Sequence, residues 1–416
     1  MNIYVNDFIK KYNDTTIAIN EAIKYVNNEG GGNVIFSSYT KYEAGLIILK
    51  SNVCLFFEDY ALLKMTSNKE KLKLNDSKHN MLNKPCYEDC EYNGEPNEGF
   101  IRAVSCSNIS ICGKGIIDGN EEIFYGNENQ YFLDGLYYPR VPLIYLKECN
   151  NVNIKNITLR RSAFWTIHLV GSENIDIDGI YIFNNLKMAN CDGIDPDHCK
   201  NIKIRNSYIE AADDGIVFKT TRNNKKYGTM ENVLVENCTI ISTSAGIKIG
   251  TESVSDFKKF NISNVNILRS NRGISLQLRD EGNISDLKFE SINMDLRMFE
   301  PNSYWGKAEP IAITAISRFK NTKHGKISNI LFNNIKADTE NGIFFYTDKN
   351  LDIFEIKLNN ISLYLHKKSK WDTNIHDLRP GEGYGIIYKD LSVIDSNNTS
   401  YEINNFNYIN DLDIKK

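Results

Sequence analysis

Two short segments carry the residues best suited to chemistry. Asn190-Cys191-Asp192-Gly193-Ile194-Asp195 and Ala212-Asp213-Asp214-Gly215-Ile216 set three aspartates directly before two Gly-Ile dipeptides that lie 22 residues apart. A lone Asp before Gly is ordinary turn chemistry. Three of them brought onto one face repel one another, a cost that function explains better than folding. Clustered like charges push at least one carboxyl toward its protonated form. A protonated carboxyl beside ionised ones is what hydrolysis of a glycosidic bond needs: one group protonates the leaving oxygen and another activates water or attacks the sugar.

What would bring them together is a repeat. Asn151-Val152-Asn153-Ile154-Lys155-Asn156-Ile157-Thr158-Leu159 matches segments starting at Asn174, Asn201 and Asn232, with looser copies at Asn108, Lys259, Asp286, Asn329 and Glu355. Most starts lie 23 to 31 residues apart, a solenoid period. Each copy alternates apolar and polar, breaks at one Asn or Gly, and alternates again, which predicts two short strands joined by a bend. A third strand follows at Gly193-Ile194, Gly215-Ile216, Gly246-Ile247, Gly273-Ile274 and Gly342-Ile343. Three strands per turn with no helical period predict an all-β, right-handed parallel β-helix, its bend asparagines stacked in a hydrogen-bonded ladder. The chain reads as one domain over 1–416. Residues 1–50 form an N-terminal cap and first turn, with an amphipathic helix near Thr15–Ile23 that ends at Gly30-Gly31-Gly32. The solenoid runs over 51–366, with insertions near 77–100, 120–142 and 295–315, and 367–416 is the opposite cap.

With the Gly-Ile strands in register, the residues before glycine make a column of Asp192, Asp214, Ala245 and Arg272, with Asp213 beside it. Alternation then points Asp195, Asp197, Lys219, Lys248, Ser275 and Gln277 outward, with Glu252 and Arg279 slightly further on. Asp195 and Asp197 lie either in a groove or on its rim. Lys219 and Lys248 either neutralise the acids or touch substrate.

The bulk properties bound the partners. The 416 residues carry a formal net charge of -4, which argues against nucleic acid or an anionic membrane surface. No apolar stretch reaches membrane-spanning length. The opening Met1-Asn2-Ile3-Tyr4-Val5-Asn6-Asp7 lacks a basic region followed by an apolar run, which predicts a cytoplasmic enzyme. The nine cysteines are irregularly spaced, and several fall in strand-like runs, which predicts buried free thiols. Cys86 and Cys90 sit in a polar loop with metal-clip spacing but without a second ligand pair nearby.

The two aspartate motifs, in this order and spacing, resemble those of glycoside hydrolase family 28, the polygalacturonase-like, pectin-active β-helix enzymes. Supporting patches are Gly113-Lys114-Gly115-Ile116-Ile117-Asp118-Gly119, Ser162-Ala163-Phe164-Trp165-Thr166-Ile167-His168, and the opening Gly30-Gly31-Gly32-Asn33-Val34-Ile35-Phe36 followed by Lys50-Ser51-Asn52-Val53. The resemblance implies inverting hydrolysis without metal or cofactor. Asp213 would be the general acid, and Asp192 and Asp214 would hold and activate the water. It departs from the family where a histidine is usual and Ala245 stands, and where Arg-Ile-Lys is usual and Ser275-Leu276-Gln277 stands. Those changes point to a divergent branch acting on pectin-derived or related oligosaccharides, with contacts from His168, Asp195, Lys219, Lys248, Glu252, Arg272, Arg279, Trp305 and Glu309, and Arg318 as a further cation. The Tyr-rich stretch from Tyr125 to Tyr138 and the Trp305 insertion suit sugar stacking and a blocked groove end, hence exo action.

Two rival readings stay open at this point. A β-helix lyase or epimerase would use Arg272 as base, with calcium, and yield an unsaturated product. A non-catalytic carbohydrate-binding solenoid would bind sugar through the same carboxylates without turnover.

Overall fold

The computed structural model describes residues 1–68, 70–72, 99–133, 140–319, 322–347, 352–372, 377–378, 393–395 and 399–412. The Cys86 and Cys90 pair and the Tyr-rich residues 134–138 lie outside them. The sequence predicts one domain; the described residues group into two compact units, Met1–Tyr208 and Ile209–Lys416. In a solenoid each turn touches only its neighbours, so few contacts tie distant turns together.

In the first unit, five short strands pair parallel in order: Ile47–Ile48, Ile101–Val104, Ile144–Lys147, Ile167–Val170 and Ile194–Asp197. A second set, including Asn150–Lys155, Glu173–Asp178 and Lys200–Arg205, pairs in the same sense. In the second unit the first set continues as Ile216–Thr220, Ala245–Ser253, Arg272–Leu278, Ile311–Ala315, Ile343–Thr347 and Val393–Asp395. Each unit is a right-handed parallel β-helix, the hand that parallel crossovers take almost without exception.

The bends follow the repeat closely. All nine repeat starts, from Asn108 to Glu355, have φ between 54° and 61°. Asn and Asp tolerate this left-handed region best, which is why the pattern is rich in asparagine. The asparagines bond upward: Asn108 Nδ2 donates to Asn52 Oδ1 (2.9 Å), Asn151 to Asn108 (3.0 Å) and Asn201 to Asn174 (3.0 Å). In the second unit Asn360 donates to Asn334 (3.1 Å) and Asn405 to Asn360 (2.6 Å). There the two predicted short strands run on as single strands such as Phe257–Ser270 and Ile353–His366, with Asn264 (φ 52°) and Asn360 (φ 52°) inside them.

Between the strands lies a core of stacked Ile, Val, Leu and Phe, wholly buried in both units. The capping helix spans Thr15–Asn28. Asp14 caps it by accepting from the Ile17 amide (3.0 Å), and Ala18, Ile19, Ala22, Ile23 and Val26 face inward. Gly30, Gly31 and Gly32 follow, all with positive φ. A further helix, Val5–Tyr12, precedes it without a sequence signal. At the other end the stack outruns the repeat: Thr399–Asp411 pairs parallel with Ile353–His366, where the sequence predicts a cap. Its outward residues are mostly polar or exposed, which weakened the pattern. The seven described cysteines are free thiols. No described helix is long and apolar enough to cross a membrane.

Candidate active site

In the first unit, Asp192 ends a tight turn before the strand Ile194–Asp197. Its carbonyl accepts from the Thr166 amide (3.0 Å) and hydroxyl (2.7 Å), and Asn184 Nδ2 donates to that hydroxyl (2.7 Å). The turn is also held from beneath. Arg140 is completely buried; it donates to the carbonyls of Ala163 (3.1 Å) and Ala189 and to Asn190 Oδ1 (2.8 Å), with its guanidinium over the Phe164 ring. Sequence reasoning missed Arg140, a single arginine inside an insertion with no motif around it. The Asp192 side chain itself is 2% exposed. His168 pairs in register with Asp195 and packs between Tyr145 and Trp165, with ring centroids 5.2 and 4.8 Å away. Asp195 and Asp197 are both fully buried, so neither is a rim residue.

The second unit holds the rest. The predicted column is seen in register: Ile216 pairs with Ile247, Ala245 with Arg272 and Ile247 with Ile274. Asp214 is buried at the head of this column. Its Oδ1 accepts from Ser244 Oγ (2.9 Å) and the Ala245 amide (3.1 Å), and its Oδ2 from Lys248 Nζ (2.7 Å). Burial alone would raise its pKa; the charges of Lys248 and Lys219 and these hydrogen bonds outweigh it and hold the carboxyl below its ordinary range. Burial would likewise neutralise Lys248, but Asp214 keeps it charged. Asp213, the preceding residue, is half-buried, and its carbonyl accepts from Ser242 Oγ (2.5 Å). Two adjacent carboxyls thus sit in different environments.

Lys219 lies opposite an irregularity where Phe218 pairs with Ile249 but Thr220 with Ser253. The extra residues re-aim Glu252 so that its carboxylate comes 3.6 Å from Lys219 Nζ. Burial opposes the Glu252 charge, but Lys219, Arg318 and Lys248 bring its pKa down to about 2. Asp213, Asp214, Lys219, Lys248 and Glu252 are therefore one group of mutually compensated charges, with Arg318 on its edge. Arg318 also forks onto Asp280 (2.8 Å to each oxygen). Replacing Lys248 with Met removes the cation nearest Asp214, and the Asp214 carboxyl then titrates about one unit or more higher, as read by carbon NMR of labelled Asp; an unmoved titration would show that Ser244 and the Ala245 amide suffice.

Other expected contacts are engaged elsewhere. Arg272 and Glu309 form a buried two-pronged pair, 3.0 and 3.1 Å, and Arg272 also donates to the Asp377 carbonyl (3.2 Å). Trp305 is half-buried, and its carbonyl accepts from Asn271. Arg279 Nη2 reaches the carbonyls of Ser317 (3.5 Å) and Arg318 (3.4 Å). Ala245, Ser275 and Gln277 stand in register where a larger or cationic side chain would project.

Residues 66–380 match the profile of Glycosyl hydrolases family 28. The chain belongs to this family. Among curated relatives of this family 28 hydrolase, a probable polygalacturonase of Vitis vinifera is 31% identical over 43% of this chain, and the match spans only 37% of the grape protein. An endo-polygalacturonase of Pectobacterium carotovorum subsp. carotovorum is 22% identical over 84% of this chain and 85% of its own. Among solved structures, a hyperthermoactive exopolygalacturonase from Thermotoga maritima superposes with a TM-score of 0.68 at 20% identity, over 88% of this chain and 87% of its own. That likeness shows the fold. The family match makes this chain a polygalacturonase-like glycoside hydrolase and does not favour the lyase, epimerase or binding-solenoid readings.

Proposed function

We propose that this hydrolase cleaves pectin-derived or related oligosaccharides, uronate-containing ones among them, by an inverting mechanism that needs no metal, and that it acts from chain ends. Asp213 is the general acid. Asp192 and Asp214 hold and activate the attacking water. His168, Asp195, Lys219, Lys248, Glu252, Arg279 and Trp305 line the substrate path. The observation that carries the reading is the contrast within one dipeptide. Asp214 is fixed as a carboxylate by Lys248, Ser244 and the Ala245 amide, while Asp213 is more exposed. Neighbouring carboxyls in unlike environments divide into base and acid. In the step itself, the Asp213 proton passes to the glycosidic oxygen as the C–O bond breaks. The water oxygen bonds the anomeric carbon from the opposite face and gives its proton to the Asp192–Asp214 pair. End-first cleavage is supported by the ordered segment 298–309 beside Asp213 and by the exopolygalacturonase among the structural neighbours.

The test is product analysis after incubation with pectic and hemicellulosic oligosaccharides, with and without EDTA. A new reducing end of inverted configuration, released one terminal unit at a time and indifferent to EDTA, is expected. An unsaturated product that disappears with EDTA would replace the mechanism with elimination, and cleavage within long chains would remove the exo assignment alone.

A further inference from the structure

The segment between the strands Ile284–Leu296 and Ile311–Ala315 is stitched down by acceptors and donors from four other places in its unit. The Met298 amide donates to Glu340 (2.6 Å) and the Phe299 amide to Asn271 Oδ1 (3.4 Å). Asn271 donates to the Trp305 carbonyl (3.0 Å), the Gly306 amide donates to Asp377 (3.0 Å), and the Lys307 amide donates to Glu309 (2.7 Å). Glu340, Glu309 and Asn271 are wholly buried. A loop that merely decorates the surface has no need of buried carboxylates along its main chain.

What this frame presents is Tyr304. Its ring is buried edge-on against Phe299, centroids 5.7 Å apart. Its phenol hydrogen-bonds with Thr243 and lies within the field of Asp213. The Thr243 hydroxyl in turn donates to the Ala212 carbonyl, so phenol and Asp213 occupy the same rung. Burial, and then the Asp213 charge, keep the phenol protonated far into alkaline pH, so it remains a donor. The column offers no rival donor on the next turn, where Ala245 presents a methyl group.

We propose that Tyr304 is a positioning residue for Asp213, its framed phenol orienting the Asp213 carboxyl and stabilising the carboxylate left when the proton moves to the leaving oxygen. The inference rests on Asp213 being the general acid. A phenol donor stabilises the ionised carboxyl, so its removal raises the pKa of Asp213.

In Tyr304→Phe, the Asp213 carboxyl signal, read by carbon NMR, titrates about one unit higher, the alkaline limb of kcat/KM moves up by the same amount, and kcat at the optimum falls about tenfold. Phe299→Leu, which loosens the ring's support but keeps the phenol, moves the limb less than Tyr304→Phe. A loss of kcat that is equal at every pH, or an unmoved Asp213 titration, overturns the inference. Wild-type activity in Asp213→Asn overturns the general-acid assignment and the positioning role with it; that failure is told apart because the titration shift in Tyr304→Phe survives it.

Discussion

Asp213→Asn lowers kcat by about 10²- to 10⁴-fold, the range that a positioned general acid contributes, while KM changes little. The amide keeps the size of the carboxyl and leaves the Ser242 hydrogen bond to the main chain intact, so the turn before Gly215 persists. What is lost is the proton. The discriminating substrate is one whose leaving group needs no protonation, such as a nitrophenyl glycoside of the sugar that the enzyme releases. On that substrate Asp213→Asn recovers most of its rate, whereas on the natural oligosaccharide it does not. Equal loss on both substrates would mean that Asp213 acts on the water or on binding instead. Asp214→Asn behaves oppositely: its rate stays low whatever the leaving group.

Arg272→Met destabilises the fold by about 3–5 kcal/mol, the usual cost of stranding one partner of a buried ion pair. Glu309 is fully buried and would keep only the amides of Lys307 (2.7 Å) and Asp377 (3.4 Å). Chemical denaturation of Arg272→Met, Glu309→Gln and the double variant checks this. The double variant recovers much of the loss, because neither charge is then left alone. If Arg272→Met were as stable as wild type but weakened substrate binding, the guanidinium would belong to sugar recognition. The measurement thus separates the two roles that an arginine in this column could fill.

The fold was legible because its punctuation is chemical. The left-handed corner selects Asn and Asp, and the corner recurs once per turn, so the repeat starts read from composition alone turn out to be the positive-φ residues. Even Lys259 and Glu355, which carry no such preference, were placed by period. The column of Asp214, Ala245 and Arg272 was legible for a related reason: aligning the Gly-Ile pairs is the same as aligning the strands. The supports of the site were not legible. Ser244 bonds Asp214 from 30 residues away, Arg140 reaches Asn190 from 50 residues away, and Asp377 meets Arg272 across 105. None of these has a period, and each becomes meaningful only once its target is placed. Tyr304 was hidden in the same way, in an insertion whose aromatic residues read as sugar platforms. Alternation also misled about exposure. The outward positions Asp195, Val217 and Lys248 are nearly as buried as the inward ones.

The left-handed corners have a consequence for how such an enzyme changes over time. A chain that leaves the stack through an excursion of any length must return through the same kind of corner, and there its phase is reset. Errors of length therefore do not accumulate from one turn to the next. Asn108 and Asn151 are 43 residues apart, whereas Asn151 and Asn174 are 23 apart, yet their strands pair without slippage. Excursions can lengthen, and single rungs such as Ala245 or Gln277 can exchange side chains, while the three aspartates stay addressed to the same positions. Preference for substrate can drift in such a molecule without renegotiating its architecture.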